Sequence, residues 1–379
     1  MYGVYLILAS VLLLVYVLWR ASSLPRLRRI PRRPFLLASL LLGLLLVSWR
    51  LLGHDSVGSW GALLEFISTT LLGTLFLVCT CLFPVDLLSG FGRLWPRRAA
   101  QIRSWAMLAG CLLALLALFQ GLRPPVVVRY QVRLPGLPPA LDGIKLAALS
   151  DLHLGTLIGP GWLQARVEQV QALRPDMILL LGDVFEGHGA SPAPYLASLR
   201  RLSARLGVWA VEGNHEMHGG PAAAAARRSE PFLRTLRNEV VEPAPGLFLA
   251  GRRYSSRHEQ ARAASVWTPG WRQAPGAKIL MAHVPVAARL AARTGVGLML
   301  AGHTHGGQIW PLSIASRLLN PLLAGRYEME GMTVLVSRGA GTWGPRMRLW
   351  RPGEIMLITL RSLRSQPRPP AEPERNRRD

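Results

Sequence analysis

Residues Leu298–Gln308 read LMLAGHTHGGQ, and this stretch decides how the rest of the chain is to be read. An apolar run ends abruptly at Gly302. His303 and His305 follow, one residue apart, and then Gly306 and Gly307. A spacing of two suits the mouth of a strand, where two imidazoles can reach neighbouring metal ions. Alone, such a pair is as compatible with a polar loop as with a metal site. Matching ligands have to come from elsewhere in the chain.

They come from the ends of other apolar runs. Ile144–Ser150 ends in Asp151-Leu152-His153, and Met177–Leu181 in Gly182-Asp183. Val208–Val211 ends in Gly213-Asn214-His215-Glu216, and Lys278–Met281 in Ala282-His283. With Gly297–Leu300, five strand-like runs finish in oxygen or nitrogen ligands, and five of the nine histidines stand there. In an α/β sheet the carboxyl ends of strands are where ligands bind. Carboxylate, imidazole and amide oxygen together suit Mn, Fe or Zn rather than Ca or Mg alone. Between the runs, Trp162–Leu173 reads as an amphipathic helix with Leu163, Val167, Val170 and Leu173 on one stripe. Tyr195–Leu206 and Pro231–Arg237 also read as helical. Val126–Leu134, Met332–Val336 and Ile355–Leu360 read as further strands. Ala222–Ala226 is low-complexity.

The first third of the chain is different. Half of the 379 residues are hydrophobic, and the excess sits in four segments near Tyr2–Trp19, Phe35–Leu52, Leu63–Leu88 and Trp105–Leu122. Each is about long enough to cross a hydrocarbon core of roughly 30 Å. The first lacks a basic start and a small-residue cleavage site, so it reads as an anchor and not a leader. Arg20, Arg26, Arg28, Arg29, Arg32 and Arg33 lie between segments one and two. Arg93, Arg97, Arg98 and Arg103 lie between three and four. Positive loops stay cytoplasmic, so the fourth segment delivers the rest of the chain to the outer face of a bacterial cytoplasmic membrane. Glu65 and Asp86, near the ends of the third segment, read as interfacial. The expected division is a transmembrane region (1–122), a catalytic domain (123–361) and an Arg/Pro-rich disordered tail (362–379).

Here the chain resembles the calcineurin-like metallophosphoesterases. DLH, GDVFEG, GNHE, AHVP and GHTHGGQ stand in that family's order over Asp151–Gln308, and weaker likeness continues through VSRGAG and EIMLITL. GHTHGGQ and the multipass start resemble its membrane-anchored bacterial branch. The resemblance implies an α/β fold, a double β-sheet sandwich flanked by helices. It also implies two divalent ions, Mn foremost, with Fe and Zn as alternatives. Asp151, His153 and His305 would hold the first ion, Asn214, His283 and His303 the second, and Asp183 would bridge them. His215 is implied as the acid at the leaving group. Two cations about 3.5–4 Å apart can activate a bridging water for attack and clamp phosphoryl oxygens, and an imidazole can protonate the departing oxygen. Glu216 would orient His215 or cap the following helix.

The remaining features bear on the substrate. Net charge is +23, and 42 of the 44 basic residues are arginine, a bias suggesting a GC-rich bacterial genome. No zinc-finger spacing or aromatic RNA-binding segment points to nucleic acid. Cys79, Cys81 and Cys111 lie in apolar runs and form no disulfide framework. Arg338, Arg346 and Arg348 are candidates to bind a phosphate, or are solvated, or face anionic lipid. Trp310–Leu323 is unusually apolar for a loop after such a motif; it is either core or a surface in the lipid interface. His54, His188, His218 and His258 read as loop residues. The expected function is hydrolysis of a phosphodiester or pyrophosphate in a lipid-linked or envelope substrate. A metal-binding membrane sensor without turnover is the alternative. Oligomeric state has no signature.

Overall fold

The computed structural model describes residues 2–24, 27–48, 58–187, 193–217, 233–254, 271 and 274–363. Outside them lie His54, His188, His218, His258, the alanine run 222–226 and the tail from 364.

Four helices open the chain: α1 (Tyr2–Ser22), α2 (Arg32–Ser48), α3 (Ser59–Leu88) and α4 (Pro96–Leu122). Tyr5–Ser22, Ser59–Leu88 and Arg98–Leu122 are long and apolar enough to cross a membrane. The 17 described residues of α2 reach only about 26 Å. Their path nevertheless traverses the bundle. Ser68 Oγ donates to Leu45 O at 2.7 Å, which sets the end of α2 beside the first half of α3. At the other end, Asp86 accepts from Arg20 Nε at 2.5 Å, Arg103 Nε at 2.8 Å and the Tyr16 hydroxyl at 2.6 Å. The end of α1, the end of α3 and the start of α4 therefore meet. Hence α1 and α3 run parallel, and α2 must run back between them.

Glu65 and Asp86 point into the bundle and not to its outer face: they are 6% and 0% exposed. A buried carboxylate persists only where cations and donors replace its water, and for Asp86 two guanidiniums do so.

The rest is a two-sheet sandwich. In chain order the strands are β1 (Val126–Arg133), β2 (Lys145–Leu149), β3 (Met177–Leu180), β4 (Val208–Ala210), β5 (Arg234–Thr235), β6 (Glu239–Ala244), β7 (Leu247–Gly251), β8 (Ala277–Met281), β9 (Leu298–Ala301), β10 (Gly325–Met329), β11 (Met332–Val336) and β12 (Glu354–Arg361). One sheet runs β1-β12-β2-β3-β4-β5, the other β10-β11-β9-β8-β7-β6. Side chains alternate between faces along a strand, so each strand feeds two cores. Leu146 and Ala148 of β2 meet Leu249, Ile279 and Leu300 between the sheets. Ala147 and Leu149 instead meet Leu163, Val167 and Tyr195, which lie on the outer helices α5 (Pro160–Ala172) and α6 (Ala193–Leu199). Against the second sheet lies α7 (Ala288–Ala292), with Ala288 and Ala291 on Leu280 and Met299.

β2, β3 and β4 are parallel, as are β7, β8, β9 and β11. Their carboxyl ends therefore gather at one edge of the sandwich. Two expected helices differ. Within 231–237, Arg234–Thr235 forms β5, which pairs parallel with the outer edge of β4 and supplies partners that edge would otherwise lack. α6 stops at Leu199, and the chain turns through 200–206, where Leu206 N–H donates to Asp176 O at 2.7 Å.

Candidate metal centre

The turns after β2, β3, β4, β8 and β9 carry the side chains singled out in the sequence. Two glycines make their convergence possible. A Cβ on Gly302 would stand 1.7 Å from Ser150 Oγ, and one on Gly213 would stand 2.1 Å from Asp183 Oδ1. No side chain fits at either place. Backbone strain also concentrates here. Asp151 (φ 55°), His153 (48°), Asp183 (50°), His303 (72°) and His305 (49°) are all left-handed. Each such residue costs roughly 1–3 kcal/mol and persists only where the surroundings enforce it.

Among the described residues the expected ligands form two groups, and His153, Glu186 and His215 form a third cluster. Asp151, His153 and His305 offer atoms within 4.8 Å of one another, and so do Asp183, His283 and His303. In the first, His153 Nε2 and His305 Nε2 are 3.1 Å apart, and His305 Nε2 is 3.4 Å from Asp151 Oδ1. In the second, His283 Nε2 lies 3.1 Å from Asp183 Oδ2, 3.1 Å from Asn214 Oδ1 and 3.2 Å from His303 Nδ1. Asp183 Oδ2 also lies 3.9 Å from His153 Nε2. Asp183 thus stands between the groups, and Asn214 joins the second.

The outward atoms fix the inward ones. His153 Nδ1 is 2.6 Å from Glu186 Oε2, and His283 Nδ1 is 2.8 Å from Leu181 O. A carbonyl accepts, so His283 donates through Nδ1 and turns the Nε2 lone pair inward; a metal ligand is held this way. Asp151 accepts from Ser150 Oγ and from His303 N–H. Imidazole nitrogens and carboxylate oxygens aimed at common points are a donor set for a cation of the Mn, Fe or Zn kind, and the residues fit two.

Charges follow from burial and neighbours. Burial alone would lower the pKa of His153, but Glu186, Asp183 and Asp151 push it up to about 9. Burial likewise opposes a charged His283, and Asp183 and Asp151 push it up to about 10. Burial raises Asp183, yet His283, His153 and His215 hold it well below the usual carboxylate range. His305 is driven well below its ordinary value by burial, His153 and Arg348. Without bound ions the carboxylates thus draw protons onto His153 and His283, which divalent ions would displace, while His305 stays neutral.

His215 lies beside this centre. Its backbone N–H donates to Asp183 Oδ1 at 2.8 Å, and its ring meets His153 edge to face at 4.6 Å. Nδ1 is 2.9 Å from Glu186 O, which makes Nδ1 the donor and leaves proton exchange to Nε2. Glu216 is 6% exposed, and the stretch from 218, where a helix capped by it would run, lies outside the described residues. The Glu216 carboxylate accepts from the N–H groups of Asp183 (2.8 Å), Gly213 (2.7 Å) and Phe185 (3.1 Å), and so ties the turn after β3 to the turn after β4.

The three arginines are each engaged with the protein itself. Arg348 is 2% exposed. Its guanidinium donates to Arg338 O, Gly339 O, Gly341 O and Arg351 O. Arg338 makes a two-pronged pair with Glu354, at 2.7 and 2.9 Å. Arg346 donates to Leu157 O at 3.1 Å. All three hold the wall behind the site.

Glu186 carries more than its place in GDVFEG indicated, since one carboxylate lies within 2.6 Å of His153 and 3.5 Å of His215. The signal was a carboxylate three residues past Asp183. Gln308 is a second addition: its amide bridges Trp343 N–H and O and Pro345 O, which ties the HGGQ turn to the 343–345 loop. Tyr254, 6.1 Å from the His283 ring, stands beside Arg252 and Arg253 in an arginine-rich stretch and had no signal of its own.

The comparisons agree with this geometry. The calcineurin-like phosphoesterase family profile matches residues 144–307. A Bos taurus transmembrane protein with metallophosphoesterase domain is 32% identical over 70% of this chain and 64% of its own length. A Danio rerio protein of the same description is 30% identical over 81% of this chain and 75% of its own. A Helicobacter pylori metallophosphoesterase is 31% identical over 70% of this chain and 73% of its own. The chain spans just under two thirds of the bovine relative, and the relatives are animal as well as bacterial. With its sandwich, its gathered ligands and its apolar amino-terminal helices, the chain belongs to the calcineurin-like phosphoesterase family.

Proposed function

We propose that the protein is a membrane-anchored, two-metal phosphoesterase that hydrolyses a phosphodiester or pyrophosphate bond in a lipid-linked or cell-envelope substrate. The carrying observation is the single carboxylate of Asp183 between two inward-facing ligand groups. Asp151, His153 and His305 would hold one divalent ion, and Asn214, His283 and His303 the other, with Asp183 common to both. Mn is the first candidate, Fe and Zn the next. Bound ions supply the Lewis acidity and charge neutralisation that hydrolysis of a phosphate ester needs.

The chain supplies the rest. His215 Nε2 would donate the proton that the departing oxygen takes up. The Glu186 carbonyl keeps Nδ1 engaged, and the Glu186 carboxylate steadies both His153 and His215. Oriented side chains of this kind contribute by position as much as by pKa.

Placement on the outer face of a bacterial cytoplasmic membrane is part of the proposal. Its support is the charge at one end of the bundle. Arg29, Arg32, Arg33, Arg93 and Arg98 are exposed there, whereas α4 leads to the sandwich from the opposite end. The test is metal-dependent hydrolysis of bis-p-nitrophenyl phosphate by the full-length protein. Activity is expected with Mn, Fe, Zn, Co or Ni, and its loss in Asp183→Ala and His303→Ala. A folded, metal-loaded protein inactive with all five would overturn the proposal.

A further inference from the structure

The helix that follows the HGGQ turn, α8 (Leu312–Leu319), faces the wrong way for a water-soluble surface. It buries Ser313 at 8% exposure and leaves Leu312 at 45%, Ile314 at 58%, Leu318 at 81% and Leu319 at 69%. Trp310, Trp343 and Trp350 are 37%, 40% and 55% exposed on neighbouring turns. Apolar helix faces and amphipathic aromatics collect where a bilayer meets water.

The position fits. Ile309, three residues before α8, packs with Met347 and Leu349 on Leu77 of α3 and on Ala114 and Ala117 of α4. Trp350 N–H donates to Gln120 Oε1 at 2.8 Å, and the Trp310 and Trp350 rings are 5.2 Å apart. Ala117 lies about 7 Å short of the end of α4, and α8 is about 12 Å long. With the end of α4 at the bilayer surface, α8 would lie within reach of the interfacial layer, roughly 5–7 Å deep on each side.

Beside α8 is a groove of about 340 Å³ lined by Val286, Ala288, Arg289, Leu319, Leu322 and Met329 among others. That volume is ample for part of an amphiphile. Both walls tie to the metal centre. One begins at Pro285, two residues after His283. The other ends at Leu323, whose carbonyl accepts from Thr304 Oγ1, between His303 and His305. Leu319 belongs to the groove and to the exposed face alike, so the groove opens toward the bilayer. Arg289 lines the groove and is exposed, and Arg317 is exposed on α8; anionic headgroups would meet them.

We infer that α8 lies in the lipid–water interface and that the groove beside it holds an acyl chain of a membrane phospholipid, so that the lipid phosphate reaches the metal centre without leaving the bilayer. This rests on the hydrolase reading for its purpose, but its test does not depend on turnover. The full-length protein, with Cys79, Cys81 and Cys111 replaced by serine, is placed in nanodiscs of phosphatidylcholine and phosphatidylglycerol. A nitroxide on Leu318→Cys should be reached by oxygen far better than by a water-soluble nickel chelate. One on Arg201→Cys, exposed before β4 at the far end of the sandwich, should show the reverse. Phosphatidylglycerol with a diazirine near the end of one acyl chain should label peptides containing 285–289 and 319–322, and Val286→Trp should cut that labelling several-fold. Nickel accessibility at position 318 equal to that at 201, or label confined to α1–α4, would overturn the inference. An inactive enzyme with both results intact would instead count against the hydrolase reading alone.

Discussion

Gly302 shows how little room the site leaves at the scale of single residues. The missing side chain is the space that Ser150 and Asp151 occupy. Gly302→Ala should therefore reduce bound Mn, measured by elemental analysis of the purified protein, from two ions per chain to one or fewer. Glu186 is a different case, because it touches His153, an expected ligand, and His215, the expected acid. Glu186→Gln keeps the shape and removes the charge; kcat should fall about 10–100-fold, the usual cost of losing a ligand's outer partner, with both ions retained. The titrating histidines give a pH effect with a definite sign. In the metal-free protein His153 and His283 sit at about 9 and 10 against an ordinary 6.5. A raised pKa means that the stabilisation is complete below 6.5 and is lost as pH rises through 9 to 10. The melting temperature of the chelated protein should fall between pH 7 and pH 10, and saturating Mn should raise and flatten that curve; a chelated protein that gains stability over this range would refute the assignment.

Between residues and the whole molecule stand the elements, and here legibility divides by physics. The ligand-bearing strands β2, β3, β4, β8 and β9 are short runs buried on both faces, and such runs announce themselves by composition. β6 and β10 carry alternating half-exposed residues on sheet edges, and β5 is two residues held by its neighbour, so none was legible. The ligand side chains were legible because each follows its strand at once. What Arg338 and Arg348 hold was not, since a guanidinium finds its carbonyls or its Glu354 only in three dimensions. The same holds for Asp86, which the sequence could place at a helix end but not between two arginines. Asp86→Asn would leave both guanidiniums buried and short of a counter-charge, a change worth about 3–5 kcal/mol in comparable buried pairs. In detergent, the variant should lose helix packing at lower temperature by tryptophan fluorescence, while bis-p-nitrophenyl phosphate hydrolysis per folded molecule stays within a factor of about two. Equal melting of the two proteins would show that the triad is dispensable.

Taken whole, the molecule joins its two parts by packing and not by a tether alone. Gly73 and Gly121 lie where Met347 and Arg346 press against α3 and α4; a Cβ on Gly121 would stand 2.3 Å from Arg346 O. The 343–350 loop that rests there also meets Gln308 and carries Arg348, so the bundle and the metal centre share one wall. The basic end of the bundle lies at the far side from that wall, which supports the proposed orientation. The measurement that bears most directly on the central claim is activity against metal content. Chelated full-length protein is titrated with Mn, and hydrolysis of bis-p-nitrophenyl phosphate is followed against ions bound per chain. The account predicts that turnover appears with the second ion and saturates at two. Full turnover in metal-free protein, or none in protein shown to hold two ions, would contradict it.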